Sequence, residues 1–199
     1  MKKSLYTSKK AGFTLVELLV VIAIIAVLAA AGFAGGNAAI QKARKVTAQS
    51  VASSIESGIE SFYSDYSALP DPTGSATEDN TPYETDQANG IQLLEILLGL
   101  ETGTDIQNDK KVRYLSLKEA RSGNRDGIVY DSGGTAIQGL FDAWGEPYFV
   151  VLDYNYDERI TVSPQGSTST TLNGRRVAVY SLGTDTPSDA NAKTLVKTW

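Results

Sequence analysis

Apolar residues crowd the start of the chain and then thin into a regular pattern. From Leu18 to Gln41 no side chain ionises, and apolar density is highest through Ala31. About 20 residues at 1.5 Å each cross a hydrocarbon core of ~30 Å, so this run predicts a membrane helix. Beyond it, apolar positions recur at Val51, Ile55, Ile59, Phe62, Tyr63 and Tyr66, the 3.6-residue period of a helix with one buried stripe. Pro70 and Pro72 stop the pattern. Together the two stretches predict one helix from about Phe13 to Tyr66, roughly 80 Å long. Its first half is apolar all round and suits lipid or other apolar helices. Its second half needs a surface to pack on, most simply a sheet of the same chain. Gly32, Gly35 and Gly36 between the halves read either as small-residue packing or as a weak point where the helix bends.

After the helix, the stretch 70–89 is polar, acidic and rich in turn formers, and predicts an exposed loop. Asn89 then stands as an N-cap for a short helix, GIQLLEILLGL, with Gln92 as capping-box partner and Gly99 as its stop. Strand candidates follow as VRYLSL, GIVYD, YFVVLDY, RITVS and RVAVYSL, separated by Gly, Asn and Asp clusters. Two of these runs flank Tyr156-Asp157-Glu158 and predict a hairpin there. The order predicts an α+β roll with the amphipathic half-helix on an antiparallel sheet.

Composition removes several chemistries. With no Cys and no His the chain has no disulfide, no thiolate nucleophile, no Cys/His zinc site and no imidazole-based triad. It also lacks a Gly-rich phosphate loop and a G-x-S-x-G turn. Charge is uneven: Lys2, Lys3, Lys9 and Lys10 lie in an acid-free leader, and setting them aside leaves 14 bases against 23 acids. A basic leader beside an apolar run is a topology signal, because Lys and Arg stay cytoplasmic. An acidic body argues against nucleic acid unless Arg113, Arg121, Arg125, Arg175 and Arg176 gather on one face. A secretory signal peptide would have a shorter apolar core, followed by a small-x-small cleavage site. Here the helical pattern continues instead. One residue fits none of this: Glu17, a lone carboxylate inside the apolar run, where a charge costs several kcal/mol, roughly 2.5–3.5 for Asp, Lys or Arg at a helix centre.

Lys10-Ala11-Gly12 followed by Phe13-Thr-Leu-Val-Glu17-Leu-Leu-Val-Val-Ile closely resembles the type III signal of type IV pilins and type II secretion pseudopilins. The resemblance implies that a membrane-embedded prepilin peptidase cuts after Gly12 and methylates the new Phe13 amine. It also implies an assembly role for Glu17, whose carboxylate would meet the Phe13 amine of an adjacent subunit, or of its own chain at i,i+4. Farther on, Phe141-Asp-Ala-Trp144-Gly145-Glu-Pro147-Tyr148 and Tyr180-Ser-Leu-Gly183-Thr-Asp185 look like two segments of the major pseudopilin, and FYSDYSALP looks like that family's helix exit. The lack of paired Cys favours a pseudopilin over a fibre pilin. The implied layout is a cleaved leader over 1–12, a transmembrane and assembly segment over 13–36, and a periplasmic α+β domain over 37–199. The implied partners are prepilin peptidase, copies of this chain and other pseudopilins in a filament, and the inner-membrane secretion platform with its assembly ATPase. The implied location is the bacterial inner membrane, single-pass, with the leader cytoplasmic.

The resemblance brings one metal with it. Major pseudopilins hold Ca²⁺ in the loop after the Y-S-x-G-x-D segment, and here Asp185, Asp189 and the Leu182 carbonyl stand at that place. Lys193 and Lys197 weaken a cation site, and a plain solvated loop is the other reading. Asp153-Tyr-Asn155-Tyr-Asp157 copies the start of an EF-hand loop. Glu158 stands where Gly is expected and Pro164 where the bidentate Glu belongs, so turn chemistry is the better reading. For Trp144 to Tyr148 a packed aromatic corner with a tight turn is expected. The functions in competition are a filament subunit, a membrane-tethered enzyme and a binding pilin for DNA uptake or adhesion.

Overall fold

The N-terminal helix exists as one piece. In this computed structural model α1 runs Leu15–Tyr66 without a break, through all three glycine positions. The structure describes residues 12–76, 81–120, 123–164, 168–184 and 194–199, with the side chains of 31–35 excepted. The chain divides into two compact units, Met1–Lys42 and Ala43–Trp199.

In the first unit every described side chain is exposed, including Phe13 (77%), Leu15 (79%) and Val27 (70%). Among the described residues no helix is long and apolar enough to cross a membrane. The described apolar run spans residues 15–30, and 31–35 fall outside the described side chains.

In the second unit, α1 buries Ala48, Ala52, Ile55, Ile59 and Phe62 in one hydrophobic core, with Val51, Tyr63 and Tyr66 packed at its margin. Spacings of four and three residues put these side chains on one face. The alanines, weak in the hydropathy pattern, let the helix approach closely: the Tyr148 hydroxyl donates to the Ala48 carbonyl at 3.3 Å. The short helix α2 spans Ala88–Leu98 and ends on Gly99, whose positive φ lets it close a left-handed cap. Its N-cap is Gln87, with no side-chain cap hydrogen bond. Asn89 lies inside the first turn, so the expected Asn89–Gln92 capping box does not form. What sets this start is Gly90, where a Cβ would come within 1.8 Å of the Glu84 carbonyl oxygen.

Among the described residues eight strands, the first of them ahead of α2 in the chain, form three antiparallel groups. A four-stranded sheet has the order β1 (Tyr83–Glu84), β4 (Phe149–Leu152), β7 (Val177–Ser181), β8 (Val196–Lys197). β2 (Gly127–Tyr130) pairs β3 (Ile137–Phe141), and β5 (Arg159–Val162) pairs β6 (Thr170–Asn173). On one face of the sheet Val150, Leu152, Val177, Val179 and Val196 share the core with α1 and α2. On the other, Phe149, Val151, Ala178 and Tyr180 pack with Ile160 and Val162 of β5. β4 and β7 are therefore buried on both faces, which is why FVVL and VAVYS read as unbroken apolar runs rather than alternating ones.

Besides the capping box, three sequence expectations change. VRYLSL forms no strand, although Leu115 is buried and the Tyr114 amide donates to Leu97 O. β4 and β5 do not make a hairpin across residues 156–158, because each pairs with other strands. The turn chemistry there does hold: Asp153 accepts from the amides of Asp157 and Glu158, and Asp157 from that of Arg159. The stretch 70–89 is not all exposed loop. Tyr83 and Thr85 are buried, and Thr85 joins β3 to β4 by donating to Leu140 O at 2.6 Å and accepting the Tyr148 amide at 2.9 Å.

Candidate functional site

The junction marked by Gly12, Phe13 and Glu17 lies at the start of α1. Residues 12–14 are non-helical and all exposed. Thr14 is the N-cap: its carbonyl accepts the Leu18 amide at 3.2 Å. Its hydroxyl accepts the Glu17 amide at 3.2 Å and donates to Glu17 Oε2 at 2.7 Å, while the Thr14 amide donates to Glu17 Oε2 at 2.8 Å. T-L-V-E is thus a reciprocal capping box, two otherwise orphaned donors satisfied by one pair of side chains. Thr14 and Glu17, three residues apart ahead of an apolar run, carry the sequence signature of such a box, which the Phe13–Glu17 spacing overlaps. Glu17 in this chain is not an unpartnered carboxylate.

The two C-terminal motifs, 39 residues apart, meet through a buried pair. Asp142 is 1% exposed. Its Oδ1 accepts the amides of Trp144, Gly145 and Glu146 at 2.8, 2.8 and 3.0 Å. Its Oδ2 accepts the Ser181 hydroxyl at 2.6 Å, and Ser181 Oγ accepts the Gly183 amide. This is the expected aromatic corner, with Tyr148 fully buried and Gly145 at φ 103°. The carboxylate organises a turn, and all four of these donors are spent on it. The C-terminus closes on the same sheet: Trp199 packs edge-on against Tyr180, itself stacked on Phe149.

Asp185 and Asp189 lie outside the described residues. Leu182 is described; its side chain joins the second hydrophobic cluster and its carbonyl accepts Thr194 Oγ1 at 3.3 Å. Among the described residues no group of three or more acids could hold a metal ion.

An enzyme would need a cleft with convergent, perturbed groups. A groove of about 510 Å³ beside α2 is lined by Thr73, Ser75, Thr81, Tyr83, Glu84 and Gln87. Among the described residues its lining brings no pair of carboxylates together. Burial, then the charges of Asp142 and Asp86, push the Glu146 carboxyl up, but Asp142 is committed to its turn. Burial also pushes Glu56 up, against the opposing pull of Arg175 at 2.8 Å. Of the five arginines that might have formed a nucleic-acid face, Arg121 lies outside the described residues. Arg175 pairs with Glu56 and Arg176 with Glu158 and Glu60. These two are neutralised in place rather than offered to phosphate.

Residues 7–33 match the family model of the prokaryotic N-terminal methylation motif. No curated protein and no solved structure matches the chain. The match supports a type IV pilin-like protein processed by prepilin peptidase. The long N-terminal helix followed by an antiparallel sheet is the α+β architecture consistent with a type IV pilin-like fold.

Proposed function

We propose that the chain is a structural subunit of a pseudopilus in a type II secretion system, cut after Gly12, N-methylated on Phe13 and assembled through α1. The observation that carries this reading is the methylation motif running directly into α1, whose apolar side chains stand exposed from Phe13 to Leu28. A continuous apolar surface of that kind needs lipid or other apolar helices to cover it. Residues 13–36 are the segment assigned to the inner membrane, with leader 1–12 cytoplasmic and domain 37–199 periplasmic. Copies of the chain adding head to tail make contacts that do not close, and such contacts build a helical filament. The assembly ATPase supplies the energy, so no catalytic residue is assigned here.

The pseudopilus is favoured over a type IV pilus by the two segments that Asp142 and Ser181 join, both similar to those of the major pseudopilin, and by a chain without Cys. A Ca²⁺ ion at Leu182, Asp185 and Asp189 remains a proposal of the resemblance. Three residues fall short of the six to eight oxygens that Ca²⁺ takes, and no step of the function depends on it.

Mass spectrometry of the mature chain tests the processing, with N-methyl-Phe13 as the expected first residue. Glu17→Ala should still be cut at Gly12 yet fail to enter filaments, and normal filament yield would refute the role given to Glu17. Deletion of the gene should leave exoproteins in the periplasm; loss of surface pili with secretion intact would favour the type IV pilus.

A further inference from the structure

We propose that Thr14 is a positioning residue for leader removal, acting by ending α1 at Leu15 so that the Gly12–Phe13 peptide stays outside the helix. The inference rests on Gly12–Phe13 being the cut junction. Two acceptors compete for one donor, the Glu17 amide. One is the Thr14 hydroxyl, which holds it at 3.2 Å. The other is the Phe13 carbonyl, which would take it if the helix grew by another residue toward the leader, since helical amides bond four residues back. The same box secures the Thr14 amide on Glu17 Oε2 at 2.8 Å, so both members oppose that growth.

The consequence is local and specific. Residues 12–14 are non-helical, which leaves the Gly12–Phe13 bond in backbone a peptidase can hold extended. A helix carried back over Phe13 and Gly12 would place that bond in its first turn, to be unwound before it could be cut. The pull toward growth is strongest at a membrane edge, where an unsatisfied amide has little water to turn to. Thr14 thus acts on the substrate's shape, with no contact to the reacting atoms required.

The test uses the full-length chain in lipid vesicles with purified prepilin peptidase, reading the initial rate of leader loss as a gel shift. Thr14→Ala should be cut about five-fold more slowly, the change in equilibrium that loss of one N-cap produces. Thr14→Ser should restore the rate, and Glu17→Gln, which keeps the box but not the charge, should be cut like wild type. NMR Cα shifts of Gly12 and Phe13 in micelles should move toward helical values in Thr14→Ala and return in Thr14→Ser. A rate equal to wild type in Thr14→Ala overturns the inference, as does a slower rate without the helical shift, which would mean direct contact with the peptidase. A wild-type chain left uncut would overturn the junction itself, and is distinguished because every variant would then also stay uncut.

Discussion

Removing the Asp142 carboxylate is the sharpest perturbation of the folded unit. Asp142→Ala orphans three donors at once: the Trp144 amide and Ser181 hydroxyl, both buried, and the half-buried Glu146 amide, while the Gly145 amide keeps the backbone carbonyl of position 142 at 3.2 Å. A buried unsatisfied polar group costs about 1–3 kcal/mol. Taking the two buried donors at about 2 kcal/mol each and letting water satisfy the third gives about 4 kcal/mol. In a domain of this size that lowers Tm by roughly 8–16 °C. Asp142→Asn keeps Oδ1 for the three amides and turns Nδ2 toward Ser181 Oγ, which can accept, so its cost should stay near 1 kcal/mol. Ser181→Ala removes one donor from Oδ2 and one acceptor from the Gly183 amide, and should cost about 2 kcal/mol. Because the partners touch, the double variant Asp142→Ala/Ser181→Ala should cost less than the two singles combined. Urea melts of the full chain in micelles, followed by the fluorescence of the adjacent Trp144, measure all four. Asp142→Ala within 1 kcal/mol of wild type, or strict additivity in the cycle, would refute the buried-link argument.

Ile59→Ala, at a fully buried position of the α1 stripe, should destabilise by about 2–5 kcal/mol; Ile40→Ala, exposed in the first unit, should leave the same melt unchanged. Gly90→Ala has no room for its Cβ against Glu84 O and should sharply reduce folded yield, read as loss of soluble protein after micelle extraction. At Asp71, partial burial raises the carboxyl, but hydrogen bonds from Ala76, Thr73 and Gly74 outweigh it and hold the group below the ordinary carboxylate range. A depressed folded pKa contributes stability above the unfolded value of about 3.9, and that stability fades as pH falls through the folded one. The stability gap between wild type and Asp71→Asn should therefore be full at neutral pH and close below about pH 4; a gap independent of pH would refute it. Ca²⁺ bound at Leu182, Asp185 and Asp189 should raise Tm with ion concentration, and a Tm unmoved by Ca²⁺ or EGTA removes the ion.

Features set by near neighbours in the chain were legible in the residues alone. The run from Leu18 and the stripe Ile55-Ile59-Phe62 foretold α1, because a helix is specified by periodicity along one segment. Gly99 foretold the end of α2, because only local backbone conformation is involved. The methylation motif over residues 7–33 was legible for the same reason, being contiguous.

Features that depend on distant partners were not. Thr85 looked like one polar residue in an acidic loop, and only the meeting of β3 and β4 around it turns its hydroxyl into a buried bridge. β6 (TTLN) has no apolar alternation to announce it, since three of its four residues face solvent and its pairing comes from β5. YFVVLDY and RITVS promised a hairpin because they are neighbours in sequence, but burial of β4 on both faces sends β5 across to cover its far side. The sequence by itself determined the helix, its apolar beginning and the methylation motif that runs into it, all of them questions of adjacency. Which strands pair, where Asp142 finds Ser181, and what hides each face of β4 were decided by the tertiary structure alone, because hydrogen-bond partners and burial are properties of residues brought together from far apart in the chain.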